Sequence, residues 1–551
     1  MSDSLTSSPS VGRAGQAAGG ALEPVSLIDR LLEAAGDRLN PILVKETRQS
    51  LKSRQFTLWF VLLLIGCWIT TIGAIAYVGP SIHYLSLGGR LLFVYYAILA
   101  LPLMVVTPFS AYRSLSSEHE ENTSDLLEVS SLSARQLVNG KLGSALLQIV
   151  IYLAALAPCI AFTYLLRGVE LTTIVLLLAY VVLASIGLSA VGLVIAAATR
   201  QKYAQVVMSV TFAGVLFLAY SAILTAASRV LSWDSRFIHS EGNFWLQLGL
   251  LSLYMTTLVV VYAAAISLTT FSAANRSTAL RKAAFLQQSV FIAWAAGLVL
   301  NGMPRDGVVS AFVTAAIYWF VAGALMSGEA PLLSLRVRRT LPQSLFGRAF
   351  GTWFNPGSGS GYIFAVCNTV TCAALAGIAC RYYSEVGSHS WEACLKTIAL
   401  LTGYLVAYLG IGRLAVVGLR RITEVSSLGA FLIQVLVTLG GSGLPFVVRT
   451  LNEQIRVADI ASLTAPSPAW NVPRMLEGSL SADMEITVLV ATGAVALAVF
   501  LINLTLAGHE ARQLRIAAPR RVIEDDQEQQ ATEPQATNPW GDRPAPVEPN
   551  S

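Results

Sequence analysis

The chain has 551 residues, of which 54% are hydrophobic and 13% charged, with a mean hydropathy of +0.62 and a formal net charge of +5. Soluble domains carry about 25% charged residues, so the composition excludes a soluble globular protein and points to an all-α, polytopic membrane protein. The basic residues are spread over connections between apolar runs, without the aromatic-interleaved patch of a nucleic-acid binder.

In chain order, residues 1–24 are Ser/Gly/Ala-rich, have no apolar signal-peptide core and read as disordered. Residues 25–55 read as interfacial helices. Leu27, Ile28, Leu31 and Leu32 share one helical face; then Asn40 has the character of an N-cap and Pro41 of a first helical residue. The second helix, 41–54, mixes Ile42, Leu43, Val44 and Leu51 with Lys45, Arg48, Lys52 and Arg54, the pattern of a helix lying among lipid headgroups, or of a positive flank that orients the first span.

A helix needs about 20 apolar residues to cross a bilayer. Six such runs fill a first membrane region, 56–271: 56–78, 91–111, 142–166, 171–198, 204–226 and 244–271. Six more fill a second, 272–507: 285–301, 308–327, 362–379, 397–412, 428–448 and 486–506, of which 285–301 and 397–412 are short. About twelve spans are expected. Alternate connections are the basic ones (Arg113, Arg135, Lys141; Arg200, Lys202; Arg276, Arg281, Lys282; Arg336, Arg338, Arg339; Arg420, Arg421), which places both termini in the cytoplasm. The tail, 508–551, carries six prolines, five of them from Val522 onward, where the net charge is −6, leaving +11 on the rest, a face suited to anionic membrane lipids.

Small residues at Ser185, Ser189, Gly192 and Ala196 form a stripe that serves either bundle packing or a dimer face. The run Gly357-Ser358-Gly359-Ser360-Gly361 lacks a following lysine and reads as a flexible lead into a span. Cys380 and Cys394 stand at the outer ends of neighbouring spans, where an oxidising compartment would allow a disulfide. The middles of the spans are almost free of Asp, Glu, Lys and Arg. Such charges mark ion-coupled pathways, so secondary transport and intramembrane aspartyl proteolysis are disfavoured. No HExxH or CxxC occurs, so neither a metal site nor a catalytic centre is expected. Gly140-Lys141 is followed by Leu142 where a phosphate loop needs Ser or Thr, so ATP is not bound by this chain in that manner.

The most informative stretch lies between the second and third runs. Glu118, Glu120 and Glu121 precede Thr123, Asp125, Leu126 and Leu127; Ser133 and Gln136 then form a capping-box pattern that starts a helix through Arg135 and Lys141. Read from residue chemistry alone, this is an interfacial helix rigidly joined to a span. The pattern Glu118…Glu121-x-Thr123-x-Asp125-Leu126-Leu127, Ser131-Leu132-Ser133, Gly140-Lys141 resembles the E-x-x-x-x-T-x-E/D-L-L…T/S-P-L-S…G-K run of ABC-2 type transporter permeases. Asn40-Pro41-Ile42-Leu43-Val44-Lys45-Glu46-Thr47-Arg48-Gln49-Ser50-Leu51 resembles the N-P-I-x-x-K-E-x-R-Q-x-L run of that family's bacterial members. Ser131 stands where a proline is usual, and the second region has no such motif.

The resemblance implies the permease subunit of an ATP-driven exporter in the bacterial inner membrane. A separate ABC ATPase would carry the ATP and dock on 112–141 (Glu118, Glu120, Glu121, Thr123, Asp125, Leu126, Leu127, Ser133, Arg135, Lys141). The segment Asn40, Pro41, Lys45, Glu46, Arg48, Leu51 would form the interfacial helix. One chain would supply a full pore or pair as a homodimer. A non-transporting scaffold and a secondary transporter are the alternative readings.

Overall fold

The computed structural model describes residues 40–78, 88–120, 133–166, 168–199, 201–232, 240–271, 274–329, 354–382, 387, 389–423, 425–451 and 464–513. Among these it is all-α, with fifteen α-helices and one π-helical segment. The first group is α1 (Pro41–Leu51), α2 (Arg54–Val78), α3 (Gly88–Leu101), the π segment Pro102–Val106, α4 (Thr107–Glu120), α5 (Ala134–Leu165), α6 (Leu171–Ala198), α7 (Lys202–Ser232) and α8 (Glu241–Thr269). The second is α9 (Ser277–Leu300), α10 (Arg305–Ser327), α11 (Ser358–Tyr382), α12 (Trp391–Leu419), α13 (Ser427–Leu451), α14 (Pro468–Glu477) and α15 (Ala482–Gln513).

Eleven helices of 23–32 residues are long and apolar enough to cross a membrane, so the chain is a multi-pass membrane protein. Each of the twelve expected runs coincides with a helix. The run 428–448 is the exception in length: its described apolar stretch, Gly429–Gly443, falls short of a full span. The two short runs belong to full-length helices, α9 and α12, because each helix continues past its apolar run through a buried arginine, Arg281 or Arg413.

Successive long helices alternate in direction. Antiparallel α8 and α9 show this directly: Gln287 Nε2 donates to Thr257 Oγ1 (2.7 Å) and Trp294 Nε1 to Ser252 Oγ (2.6 Å). The ends of the bundle are called proximal, where α1 lies, and distal. The continuous rod α3–π–α4 is the most buried span of the first group, and α12 of the second; α2 and α7 are the most lipid-facing. Among element pairs in substantial contact, only α8 with α9 joins the groups. The π segment begins at Pro102, whose ring cannot donate the helical hydrogen bond. The Leu103 carbonyl, whose partner five residues on would be Pro108 with no N–H, accepts from Ser185 Oγ at 2.6 Å.

The small-residue stripe is therefore internal. Ser185 and Ser189 are fully buried, and a Cβ on Gly192 would lie 3.1 Å from the Pro108 carbonyl. It packs α6 on α4, and the dimer-face reading is set aside.

The segment 464–477 turns back into the bundle. Tyr404 OH, midway along α12, donates to Ala465 O at 2.6 Å, Tyr408 OH donates to Pro466 O, and Ser467 Oγ donates to Ser442 O at 2.7 Å. These bonds satisfy non-helical backbone at membrane depth, the condition for placing it there. α14 then returns to the distal end, capped by Ser467 and closed by left-handed Gly478 (φ 65°).

Candidate functional site

Among the described residues, the buried charges gather at the proximal end. In the first group, Asn40 caps α1 as its sequence suggests: its Oδ1 accepts from Ile42 N (3.1 Å) while its Nδ2 donates to Gln136 O, tying the cap to α5. α5 starts with a capping box in which Ser133 N donates to Gln136 Oε1 (2.9 Å) and Gln136 N to Ser133 Oγ (3.3 Å). α1 crosses α5 at Gly140 and Gly143. A Cβ on Gly140 would fall 2.6 Å from Ile42 Cγ2, and one on Gly143 2.8 Å from Leu43 Cδ1.

That contact buries Lys141, only 2% exposed. Its Nζ donates to Glu46 Oε1 on α1 (3.0 Å), to Glu118 Oε1 on α4 (2.9 Å) and to Ser114 O and Oγ (3.1 and 2.6 Å). Ser114 Oγ in turn donates to Glu46 Oε2 at 2.7 Å. One ammonium, a compact charge with three donors, thus fastens α1, α4 and α5. On the outer side of α1, Lys45, Arg48, Lys52 and Pro41 are exposed, with Leu51 half-buried.

The second group has two arginine clamps around the N-terminus of α11. Arg281 Nη2 pairs with Glu329 Oε2 (2.8 Å) and donates to Gly357 O (3.0 Å); its Nη1 donates to Ser360 Oγ (2.9 Å) and to Asn355 O. Glu329 Oε2 also accepts from Gly357 N at 2.8 Å. Arg413 Nη2 pairs with Glu510 Oε1 (2.6 Å), and its Nη1 donates to Asn503 Oδ1 (2.8 Å). Glu510 accepts from Gly359 N (2.9 Å) and Ser358 Oγ (3.3 Å). Two carboxylates thus sit at the positive end of a helix, each neutralised by an arginine. Arg420 closes the layer by donating to Glu329 O (2.7 Å) and Gly328 O. Burial lowers its pKa from the ordinary arginine value, opposed by Glu510.

The glycine run is therefore no flexible lead. Ser358 and Gly359 are buried, and a Cβ on Gly359 would meet Glu510 Oε2 at 2.6 Å, one on Gly361 the Met326 carbonyl at 2.7 Å. The glycines admit close approach of backbone and carboxylate.

Of the expected site residues, Glu118, Lys141 and Glu46 meet in one cluster, and Ser133 and Arg135 are exposed at the start of α5. Glu118 turns inward onto Lys141. Glu120 ends α4; Glu121, Thr123, Asp125, Leu126 and Leu127 lie outside the described residues. Arg281, Glu329, Arg413, Asn503 and Glu510 were missed, although the early end of the run 397–412, immediately before Arg413, was a usable signal. Cys380 and Cys394 are buried free thiols. No group of three metal-ligating side chains occurs among the described residues. Comparison with known protein families, with curated proteins and with solved structures finds no match.

Proposed function

We propose that this multi-pass membrane protein is the permease subunit of an ATP-driven exporter, worked by a separate cytoplasmic ABC ATPase that contacts the connection between α4 and α5. The observation that carries this reading is the Lys141 clamp. It couples both ends of that connection, through Glu118 on α4 and its own helix α5, to α1. A displacement of 121–132 would move a surface helix and two spans together rather than bend a loose loop. The reading places the proximal end in the cytoplasm and α1, with Lys45, Arg48 and Lys52 exposed, against anionic headgroups. The chain binds no nucleotide itself in this scheme.

The test is gentle purification of the tagged protein with identification of what co-elutes, followed by reconstitution of the complex. A soluble phosphate-loop ATPase in fixed ratio is expected, and that ratio separates a one-chain pore from a homodimer. Glu121→Lys is expected to abolish permease-stimulated ATP hydrolysis with unchanged membrane insertion. Undiminished stimulation in that variant sinks the docking assignment, and a cross-linked preparation without any ATPase sinks the exporter reading.

A further inference from the structure

Distal to the clamps, α9, α10 and α11 enclose a cavity of about 300 Å³ whose walls include Phe291, Val299, Phe312, Ala315, Leu375 and Ala376. The lining is apolar but for the thiol of Cys372. Such a lining gives a water molecule no set of polar partners, so the space suits hydrocarbon. Three further features identify what kind.

The first is depth. The lining residues run along α9 from Phe291 to Leu300, with Met303 just beyond it, along α10 from Val308 to Ala315 and along α11 from Cys372 to Ala379. At 1.5 Å per helical residue these helical stretches are about 10–14 Å long and reach the distal end. That is the acyl depth of about one leaflet, half of a ~30 Å core. The second is access. Leu300, Leu375 and Ile378 line the cavity yet are 72%, 43% and 50% exposed, so it opens sideways to the membrane.

The third is charge. Arg305 lies in sequence between the lining residues Met303 and Val308, and its Nε donates to Cys380 O at 3.4 Å, one residue beyond the lining Ala379. No ion pair of Arg305 occurs among the described residues. The neighbouring acid, Asp306, faces His389 at 3.9 Å. Arg381, stacked on Tyr382 and Trp391 (5.3 and 4.9 Å), adds a cation and an aromatic layer of the kind that sits at headgroup level. The apolar groove between α5 and α6, about 920 Å³, is larger but has exposed Glu170 just before lining residue Leu171 at its distal end.

We propose that the α9–α10–α11 cavity binds one acyl chain of an anionic phospholipid, admitted sideways from the distal leaflet, with its phosphate at Arg305. The site is independent of the exporter reading, since neither ATP nor a partner protein enters the argument.

The test uses the full chain reconstituted in phosphatidylcholine nanodiscs containing phosphatidylglycerol with a photoreactive acyl chain, and maps cross-links by peptide mass spectrometry. Cross-links on α9–α11 are expected to exceed those on the lipid-facing α2 and α7 roughly tenfold, the ratio that a preference of about 1.4 kcal/mol gives. Ala311→Phe, which fills the cavity, is expected to remove that excess and leave α2 and α7 unchanged. Ala376→Phe serves where the first variant fails to reconstitute. Arg305→Gln is expected to keep cross-linking by a phosphatidylcholine probe and lose the preference for phosphatidylglycerol. Uniform labelling of all lipid-facing helices, or labelling indifferent to both cavity-filling variants, overturns the site; equal labelling by both lipids in the unaltered protein overturns its anionic character.

Discussion

The two groups of helices solve the same problem differently at the proximal end. In the first, one lysine serves two glutamates and a serine, and what it holds is a peripheral helix, α1. In the second, two arginines each serve one glutamate and several further oxygens, and what they hold is the bundle itself: α9, α10, α11, α12 and α15. An ammonium is a point charge that several acceptors can share, whereas a guanidinium fork fixes direction. The lysine clamp therefore tethers one peripheral helix to two spans, and the arginine clamps close a ring within the bundle.

The largest effect is expected from Arg413→Ala, which leaves Glu510 without its cation and Asn503 Oδ1 without its donor. Removing one partner of a buried pair costs about 3–5 kcal/mol. Thermal unfolding in detergent, followed by tryptophan fluorescence, should fall clearly below that of the unaltered protein; an unchanged curve would mean that the ring is not what holds the second group.

Lys141→Met strands Glu46 and Glu118 at a cost of about 3 kcal/mol or more, but the damage should stay local. Faster tryptic cleavage after Lys45, Arg48 or Lys52 is expected, with much of the bundle's thermal stability retained. Equal loss in both readouts would erase the contrast between tether and ring.

Gly361→Ala puts a methyl 2.7 Å from the Met326 carbonyl and should cost about 1–3 kcal/mol. Gly418→Ala meets nothing within 4 Å and serves as the neutral control in the same melting assay. The smallest effect belongs to Glu118→Gln, which leaves the Lys141–Glu46 pair intact; about 1–2 kcal/mol is expected from weakening a hydrogen bond to a charged group. Glu46→Gln should release α1 to trypsin more than Glu118→Gln does, because Glu46 is the residue of α1 that Lys141 grips.

Much of this arrangement was legible in the residues. The twelve runs, the Asn40-Pro41 helix start and the Ser133–Gln136 capping box all depend on interactions within a few residues, which sequence spacing encodes. Gly140-Lys141 was visible as a motif, but its reason was not. The glycine admits Ile42 from about a hundred residues earlier, and the lysine answers Glu46 at a similar separation. The fork of Arg413 onto Glu510 and Asn503 spans 90 residues or more and has no spacing rule.

Sequence alone thus determined that the chain crosses a membrane many times, where most spans lie and which short segments cap them. Hydrophobic length and local hydrogen bonding are properties of contiguous residues. Tertiary structure alone decided that the small-residue stripe is internal, that 464–477 re-enters the bundle and that the glycine run at α11 is a tight, carboxylate-capped junction. Each of these depends on which distant helix supplies the partner, and a buried polar group is fixed in place only once that partner has arrived.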